Sequence, residues 1–210
     1  MAGAGTREEV DEVRTGLPFD DVLAAAQAGA AWAFERLYRD LAPAVTGYLR
    51  LHGAVEPDDL ASETFLGVFT GLATFSGDEA GLRAWVFTIA HRRLMDDWRR
   101  RSRRPQLADD PGDLAAHLGG DVEDDALTRL GADTVHRLCG ELPTDQRSVL
   151  LLRVLADLTV EQVGEVLGKS VPSVKALQRR GLRALRDQLE RENSAESVGA
   201  GAHPSGPIWR

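Results

Sequence analysis

Arginine is the residue type in this chain whose clustering most clearly indicates a chemical role. Residues 91–104 hold seven Arg against two Asp, and residues 169–191 hold seven Lys or Arg against two acids. Guanidinium groups neutralise phosphates and donate paired hydrogen bonds to guanine edges, so such clusters are typical of nucleic-acid recognition. The formal net charge of the whole chain is −8, but local patches rather than the net charge meet phosphates.

Catalytic and metal chemistry has little support in the sequence. The five histidines show no ligand spacing, the single Cys139 has no cysteine to pair with, and no glycine-rich phosphate loop appears. We therefore expect no enzyme activity and no cofactor. A lone thiol fits a reducing cytoplasm, and no apolar run is long enough to cross a membrane. A cytoplasmic protein without a membrane span is predicted.

The elements that must position the arginines are helices. Apolar residues recur with helical spacing and no alternating strand pattern appears, which predicts an all-α fold. The predicted architecture is two small helical domains, an N-terminal bundle and a C-terminal helix-turn-helix, joined by a flexible acidic linker. The linker prediction rests on seven acids and no Lys or Arg in residues 109–125. The predicted boundaries are a disordered N-terminus 1–16, a first domain 17–104, the linker 105–130, a second domain 131–190 and a flexible tail 191–210.

A helix that begins at Pro57 has an acidic face opposite its apolar stripe. Proline suits the first helical position, and Asp58 and Asp59 suit the positive end of the helix dipole. The predicted core stripe consists of Ala61, Phe65, Val68, Phe69 and Leu72. The opposite face carries Asp59, Glu63, Leu66 and Thr70. That face is either simply solvated or a docking surface for a basic helix.

A long helix from about Leu82 combines an aromatic residue with arginines. The residues predicted to be buried are Phe87, Ala90, Leu94 and Trp98. Roughly opposite lie Trp85, Ile89, Arg92, Arg99 and Arg100, with Arg93 on the flank. Arginines that neutralise phosphates beside an aromatic ring that stacks on bases suit single-stranded or melting DNA. The alternative is that Trp85 fills the core and the arginines are solvated.

The second domain carries the signature of a helix-turn-helix. Thr144 is predicted to cap one helix, Thr159 and Gln162 form a capping box for the next, and Gly168 ends that helix. Ser170 is predicted to cap the following helix. Its outward face carries Ala176, Arg179, Arg180 and Arg183, flanked by Lys175 and Arg186, whereas Leu177 faces inward. Such a helix fits the major groove of duplex DNA.

Four stretches carry a resemblance to a known family. They are FERLYRDLAPAVTGYLR, PDDLASETFLGVF, LRAWVFTIAHRRLMDDWRRR and ELPTDQRSVLLLRVLADLTVEQVGEVLGKSVPSVKALQRRGLRALR. In this order they resemble the extracytoplasmic-function (ECF) group of bacterial RNA polymerase sigma factors, over roughly residues 18–190. The resemblance implies a subunit that directs core RNA polymerase to promoters and promotes DNA melting.

The resemblance also implies a role for each surface. The docking set Asp59, Glu63, Leu66 and Thr70 would bind a coiled coil of the polymerase's largest subunit, and the flap of the second-largest subunit is a further expected contact. The set for the minus-ten element is Ser76, Gly77, Asp78, Trp85, Arg92, Arg93, Arg99 and Arg100. The set for the minus-thirty-five element is Ser173, Lys175, Ala176, Arg179, Arg180 and Arg183. The acidic linker would thread the active-centre cleft, and an anti-sigma protein is a partner that the sequence leaves open.

A stand-alone helix-turn-helix regulator is the alternative function. It accounts for residues 131–190 equally well, but it leaves the arginine-rich helix and the acidic face of the first domain unexplained. Co-elution with core RNA polymerase would discriminate between the two. Many ECF members carry Arg where this chain has Leu177, so Arg179 and Arg180 are expected to carry more of the readout.

Overall fold

The protein is helical throughout the part of the chain that is described. The structure, a computed structural model, describes residues 16–103 and 134–199. The helices are α1 (Phe19–Gln27), α2 (Ala31–Leu51), α3 (Pro57–Gly71), a 3-10 turn (Leu72–Thr74), α4 (Glu79–Arg103), α5 (described over 134–140), α6 (Thr144–Val154), α7 (Val160–Leu167) and α8 (Val171–Gly199). The all-α prediction is confirmed. The predicted linker 105–130 and residues 200–210 lie outside the described ranges, and so does the predicted N-terminus except residue 16.

Helices α1–α4 form the first unit, and their apolar stripes meet in its core. Helix α3 starts at Pro57 with Asp58 and Asp59 in its first turn, as predicted. Its residues Phe65 and Val68 are buried against α2 and α4. Burying these stripes is what holds the helices together, because removing apolar surface from water contributes about 25 cal/mol per Å². The polar faces of α3 and α4 are thereby left pointing outward.

Helices α5–α8 form the second unit, and two of its sequence-based boundaries differ from the structure. The prediction that Thr144 caps α6 is wrong, because the helix begins at Thr144 and its cap position falls on Pro143, which has no side-chain oxygen. Helix α8 continues to Gly199, nine residues past the predicted domain end at 190. The extension is held against α5 and the residue after it, where Gln188 donates to Glu141 (2.9 Å) and Arg137 pairs with Glu192.

The two units pack against each other. Helix α7 of the second unit lies against α4 of the first. Buried apolar residues from both units belong to one continuous hydrophobic cluster, among them Val45 and Phe87 from the first unit and Leu152 and Val163 from the second. The basic faces of α4 and α8 are therefore carried on one packed body.

Candidate nucleic-acid interface

The arginine face of α4 is open to solvent. Arg92, Arg93, Arg99 and Arg100 are all exposed, and Phe87, Ala90 and Leu94 on the opposite side are buried. Trp98, predicted to be buried, is only half-buried. Several of the arginines have acidic neighbours on the same helix: Arg99 lies 2.8 Å from Asp96 and Arg100 lies 3.8 Å from Asp97. Exposed pairs of this kind are weak, so phosphates can replace the carboxylates.

Trp85 lies between the core and the arginine face. Its ring stacks on Phe75 with the centroids 5.3 Å apart and the planes at 23°. On the α3 side it sits over Gly71, where a Cβ would lie 3.0 Å from the indole. Trp85 is half-buried as a result. Trp85 therefore fills part of the core, as the alternative interpretation has it. Base stacking by Trp85 stays a prediction.

The loop before α4 is held by specific contacts. The Asp78 carboxylate accepts a hydrogen bond from the Gly81 N–H (2.8 Å), so Asp78 caps the helix. Gly77 lies so close to Phe75 that a Cβ would be 3.0 Å from the ring. Gln27 of α1 donates to the carbonyls of Leu72 (3.1 Å) and Phe75 (2.7 Å). Ser76, Gly77 and Asp78 stay exposed on a loop whose base is fixed.

The acidic face of α3 is exposed as predicted. Asp59, Glu63, Leu66 and Thr70 all lie on the solvent side, and Leu66 is 70% exposed. Leu66 thus adds an exposed apolar side chain next to the acidic Glu63, which is a surface that a partner helix could cover. Glu63 lies 3.5 Å from Arg93 of α4, so the docking face borders the arginine face directly.

The helix-turn-helix is built as its sequence predicts. The Thr159 hydroxyl accepts from the Gln162 N–H and the Gln162 side chain accepts from the Thr159 N–H, which confirms the capping box. Gly168 ends α7 in the left-handed conformation with φ 63°. A Cβ on Gly164 would lie 2.7 Å from the Lys169 carbonyl oxygen, so the turn can close tightly only over glycine.

Helix α8 presents a basic face from its first turns. Ser173, Lys175, Arg179, Arg180 and Arg183 are exposed, whereas Ala176 is half-buried. Val174 and Leu177 are buried on the opposite side, which confirms the inward position of Leu177. A groove of about 370 Å³ runs along the basic face and is lined by Lys175, Gln178, Arg179, Leu182, Arg183 and Arg186.

Two histidines and the single cysteine lie in environments that shift their pKa values. His52 is 2% exposed, and burial lowers its pKa from 6.5 to about 4, with the Tyr48 carbonyl opposing the shift. Burial also lowers the pKa of His91 and raises that of the Cys139 thiol. Within residues 16–103 and 134–199, no group of His, Cys, Asp and Glu is arranged to hold a metal ion. None of the helices described there is both long and apolar enough for a membrane crossing.

Two stretches of the chain, which include the two basic faces, match models of one protein family. The family model described as Sigma-70 region 2 matches residues 34–104, and the model described as Sigma-70, region 4 matches residues 132–185. The ECF RNA polymerase sigma factor SigD of Mycobacterium tuberculosis is 30% identical over 181 residues, which cover 81% of this chain and 83% of SigD. The chain belongs to the ECF RNA polymerase sigma factors. It is thus a sigma factor that directs RNA polymerase to promoters.

Further relatives agree with this assignment. The ECF sigma factor BldN of Streptomyces coelicolor is 32% identical over 169 residues, and the match covers 79% of this sigma factor but 63% of BldN. The solved structure of CnrH, determined in complex with the cytosolic domain of CnrY, superimposes with a TM-score of 0.59 at 24% identity. That match covers 81% of this chain and 96% of the CnrH chain and supports the fold.

Sequence reasoning missed two residues that shape the site, Phe75 and Gln27, and it missed the capping role of Asp78. Phe75 stacks on Trp85, Gln27 anchors the loop, and Asp78 caps α4. Only Asp78 had a local signal, since an aspartate one residue before a helix is a frequent cap. The partners of Phe75 and Gln27 are set by tertiary packing, which local patterns do not encode.

Proposed function

We propose that this sigma factor divides its contacts among three surfaces. The α3 face with Asp59, Glu63, Leu66 and Thr70 docks on the coiled coil of the polymerase's largest subunit. The loop with Ser76, Gly77 and Asp78 and the α4 face with Trp85, Arg92, Arg93, Arg99 and Arg100 hold the melted minus-ten element. The α8 face with Ser173, Lys175, Ala176, Arg179, Arg180 and Arg183 reads the minus-thirty-five duplex.

The observation that carries the proposal is the separation of charge on adjacent exposed faces. A basic helix face and an acidic face meet at the Glu63–Arg93 pair. The basic face has the sign opposite to DNA, and the acidic face suits a partner helix with basic side chains. Complementary potentials of this kind fix register and speed association. The protein itself needs no catalytic group for this task, because the polymerase performs the chemistry. A cytoplasmic location remains a prediction from the sequence, and contact with the flap and with an anti-sigma protein remains a prediction from the family.

Charge reversal on α3 tests the docking assignment. The double variant Asp59→Arg with Glu63→Arg should abolish retention on immobilised core polymerase, because it places four units of charge change on the proposed docking face. Both side chains are exposed, so circular dichroism should report an unchanged helix content. A matched control, Glu35→Arg with Asp40→Arg, makes the same charge change on exposed positions of α2 and should bind normally. Normal retention of a folded Asp59→Arg, Glu63→Arg variant would show that α3 is not the docking helix.

A further inference from the structure

The basic face of α8 carries no counter-charge from the described part of the chain. Four cations line its groove and form no ion pair with any described acid: Lys175, Arg179, Arg183 and Arg186. Several arginines of α4, in contrast, have acidic neighbours on their own helix. The groove of about 370 Å³ along α8 is therefore walled by positive charges that are available to DNA.

Two side chains of the same groove carry no charge. Gln178 and Leu182 line it together with the cations. They are four positions apart on α8, so they lie on one flank of the helix, about one turn from each other. Leu182 is 49% exposed, and Gln178 is half-buried. The Gln178 amide forms no hydrogen bond with another described residue, so its donor and its acceptor are both available to a ligand in the groove.

Packing in the core of the second unit does not explain these two side chains. The core side of α8 is marked by Gly181, where a Cβ would lie 2.8 Å from the Leu150 side chain of α6. Leu182 is the next residue, so it points about 100° away from that contact. Val174 and Leu177 are buried on the core side, whereas Leu182 stays exposed. Phosphate binding does not explain the pair either, since an amide and a leucine add no positive charge.

The chemistry of the pair fits A·T base pairs in the major groove. Adenine presents there the N7 acceptor beside the N6 amino donor, which a glutamine amide matches with two hydrogen bonds. Guanine presents two acceptors, so the amide oxygen of Gln178 would face an acceptor without a hydrogen between them. Among the four bases, thymine alone carries a C5-methyl group, and packing on it would remove part of the exposed Leu182 side chain from water. A glutamine and a leucine on one flank therefore favour adenine and thymine over guanine and cytosine.

We propose that Gln178 and Leu182 read A·T base pairs of the minus-thirty-five element, Gln178 by paired hydrogen bonds to N6 and N7 of an adenine and Leu182 by packing on the C5-methyl of a thymine. The two residues are about 6 Å apart along the helix axis and base pairs are stacked about 3.4 Å apart, so the thymine lies on either strand within about two base pairs of the adenine. The proposal rests on the proposed assignment of α8 to the minus-thirty-five duplex. It adds two specificity-determining residues to the set Ser173, Lys175, Ala176, Arg179, Arg180 and Arg183.

Base analogues that each remove one contact test the proposal. The probe is a promoter fragment selected by the parent holoenzyme from a pool with a randomised minus-thirty-five element. The analogue 7-deazaadenine lacks the N7 acceptor and uracil lacks the methyl group, and both leave Watson–Crick pairing intact. At one adenine we expect 7-deazaadenine to weaken binding of the parent holoenzyme about fivefold. At a thymine within about two base pairs of it, uracil should weaken binding about fourfold.

Variants of the two residues assign each effect to a side chain. Gln178→Ala should erase the 7-deazaadenine effect and keep the uracil effect, and Leu182→Ala should do the reverse. Leu189→Ala removes a leucine of α8 that is 44% exposed and lies outside the groove, so it should keep both effects. Circular dichroism should show the parent's helix content in all three variants.

The outcomes separate this proposal from the proposed function. Insensitivity of the parent holoenzyme to either analogue would overturn the base readout, and so would an analogue effect that does not depend on its own residue alone. In both cases a selected minus-thirty-five preference that Arg179→Ala weakens would leave the assignment of α8 standing. If the pool yields no preference in that element, or Arg179→Ala binds the selected fragment as tightly as the parent, the assignment of α8 itself fails.

Discussion

The Glu63–Arg93 ion pair joins two side chains that we assign to different partners. Glu63 belongs to the docking face and Arg93 to the minus-ten face, and their charged atoms lie 3.5 Å apart. Their side chains are 47% and 45% exposed, so water screens the pair strongly. Exposed pairs of this kind contribute 0 to about 1 kcal/mol, which leaves both side chains available to their partners at little cost.

A double-mutant cycle measures how strongly Glu63 and Arg93 interact with each other. Glu63→Ala, Arg93→Ala and the double variant should show a coupling below about 0.5 kcal/mol in the free energy of unfolding, because the pair is exposed. Urea denaturation of the four proteins gives the coupling directly. A coupling above about 2 kcal/mol would mean that the pair is a structural bond that must break before either partner binds.

Stability should depend on pH through His52. Burial holds the folded-state pKa of His52 at about 4, below its ordinary value of 6.5. Between these values the unfolded chain binds more protons, so the free energy of unfolding should fall as the pH drops through 6.5 towards 4. The expected loss from pH 7 to pH 5 is about 2 kcal/mol. The pKa of His91 is lowered as well, so it adds to the loss in the same direction.

Denaturation at the two pH values in parent and variants checks this dependence. His52→Gln keeps a polar side chain that does not titrate and should remove most of the pH dependence, although it lowers stability at both pH values. His91→Gln should remove the smaller share. A His52→Gln protein that loses stability with acid as steeply as the parent would show that other groups are responsible.

At the level of elements, close backbone packing in the turn of the helix-turn-helix requires a glycine at position 164. The 2.7 Å approach of a Cβ at position 164 to the Lys169 carbonyl involves backbone, which cannot move aside as a side chain would. Gly164→Ala should therefore lower the free energy of unfolding by about 1–3 kcal/mol. Gly140→Ala is the control, because nothing lies within 4 Å of a Cβ there, and it should be neutral or slightly stabilising. Thermal denaturation distinguishes the two, and equal effects would contradict the close-packing argument.

Helix types and caps were predictable because their causes are local. Thr159, Gln162 and Gly168 lie within ten residues of one another, and each satisfies backbone groups of the same short helix. The end of α8 was not predictable in this way. Asn193 and Ser194 suggest a turn locally, but α8 continues through them to Gly199. Just before them, Gln188 and Glu192 contact Glu141 and Arg137, which lie far away in the sequence.

At the level of the whole molecule, the sequence predicted two units but not their packing. The exposed sides of α3, α4 and α8 follow from helical periodicity, since each helix has one apolar stripe. The His52–Ser148 bond joins residues 96 positions apart. No local sequence pattern around either residue indicates that the two side chains meet. Contacts between distant segments depend on how whole surfaces fit, so only the structure reveals them.

The last prediction divides the promoter between the two basic faces. Arg179 is exposed on α8, where duplex base edges are within reach, so Arg179→Ala should weaken the closed complex by about 1–3 kcal/mol if the side chain binds a guanine edge. Arg92 is exposed on α4 beside the face that borders Trp85, so Arg92→Ala should allow recruitment but slow DNA opening. Trp85→Ala should slow opening too, and it should keep a residual defect on a pre-melted bubble because lost stacking weakens the hold on the single strand.

Permanganate footprinting and run-off transcription on duplex and bubble templates separate these steps. Arg191→Ala and Arg39→Ala remove exposed arginines of α8 and α2 that lie outside the proposed surfaces, so they control for loss of charge alone. The transcription defect of Arg179→Ala should largely persist on the bubble template, because the proposed Arg179 contact is to duplex upstream of the bubble. It should shrink only to the extent that an already open template lets polymerase skip the initial recruitment step. The Arg92→Ala defect should shrink further, because the bubble supplies the opening that this variant slows. If Arg179→Ala instead blocked melting after normal recruitment, or Arg92→Ala blocked recruitment outright, the two faces could not serve the two elements as assigned.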